Sequence, residues 1–493
     1  MSPDPKIREF TGEIAKIAKG YGLDFFDTIF EVVDFDQMNE VASYGGFPNR
    51  FPHWQFGMEY ERVSKGYKYG LQKIYELVIN NNPCYAYLLE CNDIVDQKMV
   101  IAHVFAHSDF FKNNVWFSQT NRKMVDEMAN HGARIRRYAE KFGIEVVEKF
   151  LDQCLSIEDL IDHHSPFISR RGNGGGGKDD DGRCGGEIKK LKSKPYMDRY
   201  INPKEFLDGQ KEAMRERRRK KRKLPENPEK DVLLFLIEHA QLSRWQRDIL
   251  SIVREESYYF APQGQTKIMN EGWATFWHSR IMTRDVLTDS EVIDYADRHS
   301  GTVSTRPGSL NPYALGLALF RDIEERWNKG RFGKEYDECE DLAVRKSWDH
   351  DLGLGMEKIF SIRQLYNDVT FIDEFLTEDF CREQKLFTYK YNEKTKQYEI
   401  AERDLDSVKK KVLFGLTNFG RPFIYVVDGN YENRGELFLS HRHEGYDLKL
   451  NEAKDTVANV FRVWGRPVHL ETVVEGKKKI FTYDGEKHEE KDA

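Results

Sequence analysis

Residues 99–117, MVIAHVFAHSDFFKNNVWF, are too apolar to lie at a surface and too polar to be plain core filling. Written as a helix, the run places Met99, Val100, His103, Val104, His107, Phe110 and Phe111 along one side, so both imidazoles project from the face meant for the core. A buried imidazole needs a hydrogen-bond partner or an ion, and two of them one turn apart can reach the same ion. HxxxH on a helix is the skeleton of the HExxH motif of zinc proteases, whose intervening glutamate is the general base. Val104 stands at that position here, so a base has to come from another segment. The alternative is that each histidine is a core residue satisfied by a carbonyl or carboxylate. Acids on other buried faces decide between the two.

In RWQRDILSIVREESYYF the apolar stripe runs Trp245, Ile249, Ile252, Val253 and then Glu256, which sets a carboxylate where the pattern calls for an aliphatic side chain. Buried, it requires a cation, a strong donor or a proton; pairing with Arg254 or Arg247 is the purely structural solution. Glu255 lies about 100° further round. The next helix, TKIMNEGWATFWHSRIM, carries Glu271 and His278 two turns apart at nearly the same azimuth, with Ala274 and Thr275 between them small enough to admit another backbone. A rise of about 10 Å between the two makes it awkward for both to hold one ion. Glu271 suits the third position of a two-histidine-plus-glutamate zinc site, and His278 an acid/base or orienting role. The expected set is therefore His103, His107 and Glu271 as metal ligands, with Glu256, Glu255 and His278 as catalytic groups. His53, among prolines and aromatics, reads as packing, and His131, His163, His164, His299 and His350 read as structural. His441 and His443 sit on a strand-like segment where an exposed turn is the commoner outcome. No Walker A loop, dinucleotide fingerprint or nucleophile elbow occurs in a strand-to-helix setting.

At 493 residues the chain exceeds one compact core and predicts two to four units, at about 100 to 200 residues each. Charged residues make up 32% and aromatics 13%, a balance that folds rather than stays solvated. With 76 basic and 83 acidic side chains, for a net charge of -7, no global field draws the chain to nucleic acid or anionic lipid. Six scattered cysteines without a CxxC pair fit reduced thiols. The N-terminal residues lack the unbroken apolar core of a signal peptide, and no window approaches the roughly 18 apolar residues of a membrane span, so the expected location is cytoplasmic.

The fold class expected is mainly α with a small C-terminal α/β domain. Residues 1–165 read as helices, 166–230 as a flexible glycine-rich and basic insertion, and 231–383 as helices completing the site. From 384 to 480, short segments rich in β-branched and aromatic residues between Gly and Asn turns predict strands, and 481–493 a frayed tail.

The strings YGGFPNRFPHWQFG, AHVFAHSDFFKNNVWF, KPYMDRYINP, WQRDILSIVREESYYFAPQGQTKIMNEGWATFWH, NPYALG, YNDVTFIDEFLTEDFC and NYENRGELFLSH, in this order, resemble the stage V sporulation protein R (SpoVR) family over nearly the whole chain. The resemblance implies a process, formation of the spore cortex or a wider envelope or stress response. It also implies partners, a serine-protein kinase and a protein with a von Willebrand-type domain. The chemistry has to come from the residues. They predict a metal-dependent hydrolase of a peptide or amino-sugar amide, with zinc as the first choice of ion and iron or manganese as alternatives. The competing readings are a non-catalytic scaffold built on a buried polar network and a helical-bundle di-metal redox protein.

Overall fold

The computed structural model of the protein describes residues 5–68, 76–168, 197, 202–221 and 223–492, which are mostly helical with a small mixed β-sheet near the C-terminus. The chain forms two units, neither continuous in sequence: Met1–Glu148 joins Tyr258–Arg421, and Lys149–Ser257 joins Pro422–Ala493. The glycine-rich stretch at 171–187 lies outside the described residues.

The first unit opens with helices α1 (Pro5–Gly20), α2 (Phe35–Ser43), α3 (Trp54–Lys68), α4 (Ile94–Asn113) and α5 (Met124–Phe142). Three strands interrupt them, β1 (Thr28–Val33), β2 (Glu76–Ile79) and β3 (Cys84–Leu89), in the order β1-β3-β2 with β1 parallel and β2 antiparallel to β3. This corrects the expectation of helices throughout residues 1–165, since β2 falls inside a segment read as helical. A four-residue apolar run is too short for its period to be told from that of a buried strand. What decides is the ladder: β3 is paired on both edges and buries Cys84, Ala86, Tyr87, Leu88 and Leu89.

Helix α4 is capped by Asp93, which accepts from Asp96 N at 3.0 Å, and is buried at every residue from Val95 to Phe111. The expected one-sided stripe is thus a helix enclosed on all sides, by α1, by the Lys267–Ile281 helix and by the Gly355–Leu365 helix among others. The Lys267–Ile281 helix is nearly as buried and crosses the Pro312–Lys329 helix at Gly272 and Gly316, whose backbones touch. The sequence places the close approach at Ala274 and Thr275; the structure places it two residues earlier, at Gly272 beside Glu271.

The start of the Lys267–Ile281 helix is held from far along the chain. Asp368 accepts from Ile268 N at 2.8 Å and from Met269 N at 2.9 Å. Burial pushes this carboxyl up to about 7, against the pull of the backbone amides of Ile268, Met269 and Lys267. An acid whose folded pKa is raised binds its proton more tightly folded than unfolded. Its contribution is complete below pH ~4 and is lost as the pH rises toward 7. Asp368→Ala, which orphans two buried donors, is expected to cost roughly 2 kcal/mol or more in urea unfolding. Asp368→Asn keeps an acceptor but has no proton to release, so the stability difference from wild type should shrink between pH 5 and pH 7.5.

The first unit continues past residue 384, the boundary expected from sequence, to Arg421. A hairpin of β4 (Thr388–Asn392) and β5 (Gln397–Glu402) precedes the Leu405–Leu416 helix. Val408 of that helix, with Leu405, Val412, Leu413 and Leu416, packs on the first unit's core. Strand texture changes before the core does.

In the second unit, the five strands β6 (Phe423–Tyr431), β7 (Glu436–Arg442), β8 (Val468–Val474), β9 (Lys477–Tyr483) and β10 (His488–Asp492) lie in the order β10-β9-β8-β7-β6. Only β7 and β8 run parallel among them, and the Leu450–Trp464 helix makes the connection that a parallel pair requires. The expected frayed tail is in fact the edge strand β10, paired with β9 from His488 against Tyr483 to Asp492 against Lys479. Its charged side chains find cross-strand partners, with Glu490 meeting Lys479 and the His488 ring 4.6 Å from that of Tyr483. Part of the segment expected to be a flexible linker is also regular, since Lys204–Lys221 is helical. Cys84, Cys91, Cys154, Cys339 and Cys381 are free thiols. No helix among the described residues is long and apolar enough to cross a membrane.

Candidate metal centre

Two neighbouring helices of the first unit supply the site. His103 and His107 stand one turn apart on α4, their rings 4.5 Å apart and nearly perpendicular at 86°. Glu271 projects from the first turns of the Lys267–Ile281 helix. His103 Nε2 lies 3.6 Å and His107 Nε2 3.4 Å from the same oxygen, Glu271 Oε2. The ligand atoms of these three residues all fall within 4.8 Å of one another. His103, His107 and Glu271 form one group, holding a single carboxylate rather than the several that a di-metal centre shares.

The opposite ring nitrogens are tied to protein. His107 Nδ1 is 2.9 Å from Asn270 Oδ1, and His103 Nδ1 is 2.8 Å from His278 Nδ1. Asn270 Oδ1 is an acceptor, so His107 carries its proton on Nδ1 and turns a lone pair outward at Nε2. The same assignment at His103 makes it the donor to His278, whose Nε2 then donates to His299 Nδ1 at 3.2 Å. Burial, reinforced by His103 and His299, holds His278 well below the usual histidine range, so it is neutral. Glu271 Oε2 is buried without a hydrogen-bond partner. A carboxylate oxygen without a hydrogen-bond partner, faced by two imidazole nitrogens, is the donor set that a divalent cation fits.

The frame around the group is rigid. Two residues beyond His107 and two beyond Glu271, the helices are joined by Trp273 Nε1 donating to Asp109 Oδ2 at 2.9 Å. Asp109 Oδ1 also accepts from Asp24 N at 2.8 Å and pairs with Arg363 Nη1 at 3.2 Å. Burial pushes the Asp109 carboxyl up to about 6 although Arg363 draws it down.

Glu256 is buried and Glu255 exposed on the Arg244–Gln265 helix, as the stripe and the 100° offset predict. Both belong to the second unit, and neither is in the group formed by His103, His107 and Glu271. Arg254, a candidate partner for Glu256, forms a bidentate pair with buried Asp231, Nη2 to Oδ2 at 2.6 Å and Nε to Oδ1 at 3.3 Å. His278 stands behind His103, an orienting position. His441 Nδ1 and Thr472 Oγ1 lie 2.8 Å apart in the second unit's sheet, and His443 pairs with Asp447 at 2.9 Å. Sequence reasoning missed three residues: Asn270, His299 and Tyr313, whose ring stacks on His103 at 6.2 Å. The adjacency of Asn270 to Glu271 was the one signal available; His299 and Tyr313 carry none.

The chain matches two family descriptions end to end: SpoVR like protein over residues 4–421 and SpoVR-like C-terminal domain over residues 422–475. It is 32% identical over 498 residues to the uncharacterized protein YcgB of Escherichia coli (strain K12), an alignment that takes in 94% of this chain and 91% of that protein. No solved structure matches. The second description begins at the residue where the second unit resumes, so the relationship follows the chain's own architecture: this protein belongs to the SpoVR-like family.

Proposed function

We propose that the protein is a metal-dependent hydrolase of an amide bond, in a peptide or an amino sugar, with His103, His107 and Glu271 holding one ion, zinc before iron or manganese. The observation that carries this reading is Glu271 Oε2, buried, without a hydrogen-bond partner and faced by two imidazole nitrogens at 3.4 and 3.6 Å. An ion held by these three residues would supply Lewis-acid chemistry, activating water and polarising a carbonyl.

The protein's own residues prepare the ground. Asn270 fixes the tautomer of His107, and with His278 accepting from His103 in the matching arrangement both Nε2 lone pairs point at one place. Glu271 Oε2 is itself buried, which limits screening at that oxygen by bulk water. His299, only half-buried, continues the hydrogen-bonded line from His278, and Tyr313 flanks the His103 ring. No step is assigned to Glu255 or Glu256.

Mass spectrometry of tag-free protein is expected to find about one ion per chain. The His103→Ala/His107→Ala double variant should lose it while keeping the far-ultraviolet circular dichroism of the wild type. Protein expressed in metal-supplemented medium that carries no ion would end the proposal. The same histidines would then be a hydrogen-bonded network, and the scaffold reading would take its place.

A further inference from the structure

A cavity of about 900 Å³ opens on the first unit, and none of the residues lining it belongs to the histidine–glutamate group. It is bounded by α2, by α3 and by the loop between them, with Arg136 of α5 also lining it. The loop is the YGGFPNRFPHWQFG string, which the metal centre leaves unused.

One part of the lining is aromatic. Phe56 meets Tyr44 edge-on at 5.4 Å and Phe51 at 5.4 Å. The Arg50 guanidinium rests over the Phe51 and Phe56 rings at 5.0 and 5.1 Å, so these rings already hold one cation. Another part is acidic. Asp34 is committed to capping α2 through Gln37 N at 2.8 Å, but Asp36 and Glu40, one turn apart on the exposed face of α2, face across to Tyr60 and Glu61 of α3. The Tyr60 hydroxyl lies 3.5 Å from Asp36 Oδ1. Burial and then Asp36 raise its phenol above the usual range, and Glu40 and Glu61 line the same cavity as this pair. Glu61 shares its charge with Lys65 at 2.9 Å, an exposed pair of the kind that contributes little and yields to a competitor. Such a volume lies at the upper end of sites for organic ligands and far above what a bare ion fills.

We infer that this cavity binds an organic cation, an alkylammonium or guanidinium group whose charge sits among Asp36, Glu40 and Glu61 and whose methylene chain lies along Tyr60 and Tyr44. The group is carried either by a free polyamine or by a lysyl or arginyl residue of a peptide. In the second case Trp54 and Met58, 58% and 64% exposed and one turn apart on α3, offer apolar contact to the neighbouring peptide residues. The inference does not rest on the metal centre and holds whether or not an ion is bound there.

Isothermal titration calorimetry of the full chain with spermidine, with an acetylated pentapeptide containing three lysines, and with its glutamine counterpart tests it. At least one cationic probe is expected to bind, more weakly as salt is raised, and the glutamine peptide not to bind. Whichever of spermidine and the lysine peptide binds more tightly identifies the carrier. Asp36→Asn/Glu40→Gln should weaken binding by about 5-fold or more, and Tyr60→Ala by about 3-fold, while Tyr60→Phe retains it. All these positions are at least partly exposed, and thermal melts of the variants report whether the fold is intact. Absence of heat with both cations, equal binding of the glutamine peptide, or an affinity untouched by both the double variant and Tyr60→Ala overturns the inference.

Discussion

Gly316→Ala is expected to lower the melting temperature by about 6–12 °C and to empty the metal site in whatever folded protein remains. A methyl group on Gly316 would stand 2.6 Å from Gly272 Cα and overlap the carbonyl oxygen of Ile268. Everything it meets is backbone of one helix, so no side chain can swing aside. The two helices would have to separate, and the loss of packing on both sides is what makes overfilling cost about 3 kcal/mol here. Glu271 precedes Gly272 on the displaced helix, so its distance from His103 and His107 would lengthen. Gly272→Ala should behave alike, since its methyl would lie 2.5 Å from Gly316 C. Gly12→Ala is the control: nothing lies within 4 Å of the added atom on α1, and alanine in a helix interior should be neutral or stabilising by about 0.5–1 kcal/mol. Thermal melts and metal content of the three variants check the argument. A Gly316→Ala protein with wild-type melting and a full complement of metal would mean that the crossing is looser than described.

Asp109→Ala is expected to cost about 3–5 kcal/mol, the usual penalty for stranding one member of a buried ion pair. Arg363 is the member stranded. Its side chain is 9% exposed against 0% for Asp109, and its guanidinium lies over the Phe360 and Trp273 rings, which cannot neutralise it. The substitution also removes the acceptor for Trp273 Nε1 and for Asp24 N. Asp109→Asn retains acceptors without the charge and should lose less. The double variant Asp109→Leu/Arg363→Leu should recover part of the loss, because replacing both partners removes the unpaired charge. Chemical denaturation of the four proteins measures each step. A double variant no more stable than Asp109→Ala would show that the stranded Arg363 charge is not the source of the loss.

How much of this was legible in the sequence depends on the kind of information each feature needs. His103 and His107 declare themselves, because an imidazole in an apolar run is anomalous wherever the run ends up. Glu271 was preferred to His278 because two turns make it awkward for one ion to take both, and a glutamate from a later helix suits the third position beside two histidines. The enclosure of α4 was not legible. A one-sided periodicity records only the residues that differ between faces, and α4 is covered even over Asp96, Gln97 and Lys98. Lys98 meets Glu291 at 2.9 Å, Asp96 meets Arg298 at 2.6 Å and Gln97 donates to Leu89 O at 2.8 Å, partners that no local pattern announces. Asn270, His299 and Tyr313 were missed for the same reason, since each takes its role from a ring on another helix. The buried position of Glu256 followed correctly from its stripe, whereas its catalytic role rested on a placement that periodicity does not supply. Strands β1 to β3 and β10 went unread because short or charged segments pair only when a neighbouring strand is there to receive them.

The interleaving of the two units bears on how the chain can be made. Residues 149–257 leave the ribosome long before residues 422–493, yet the backbone of Glu229 pairs with Val426 in both directions and Phe235 packs against Gly429 and Trp464. Until translation ends, the nascent polypeptide carries this half-built piece with its apolar side uncovered. A product stopped at residue 421 would keep every ligand of the proposed ion and still be a client for chaperones.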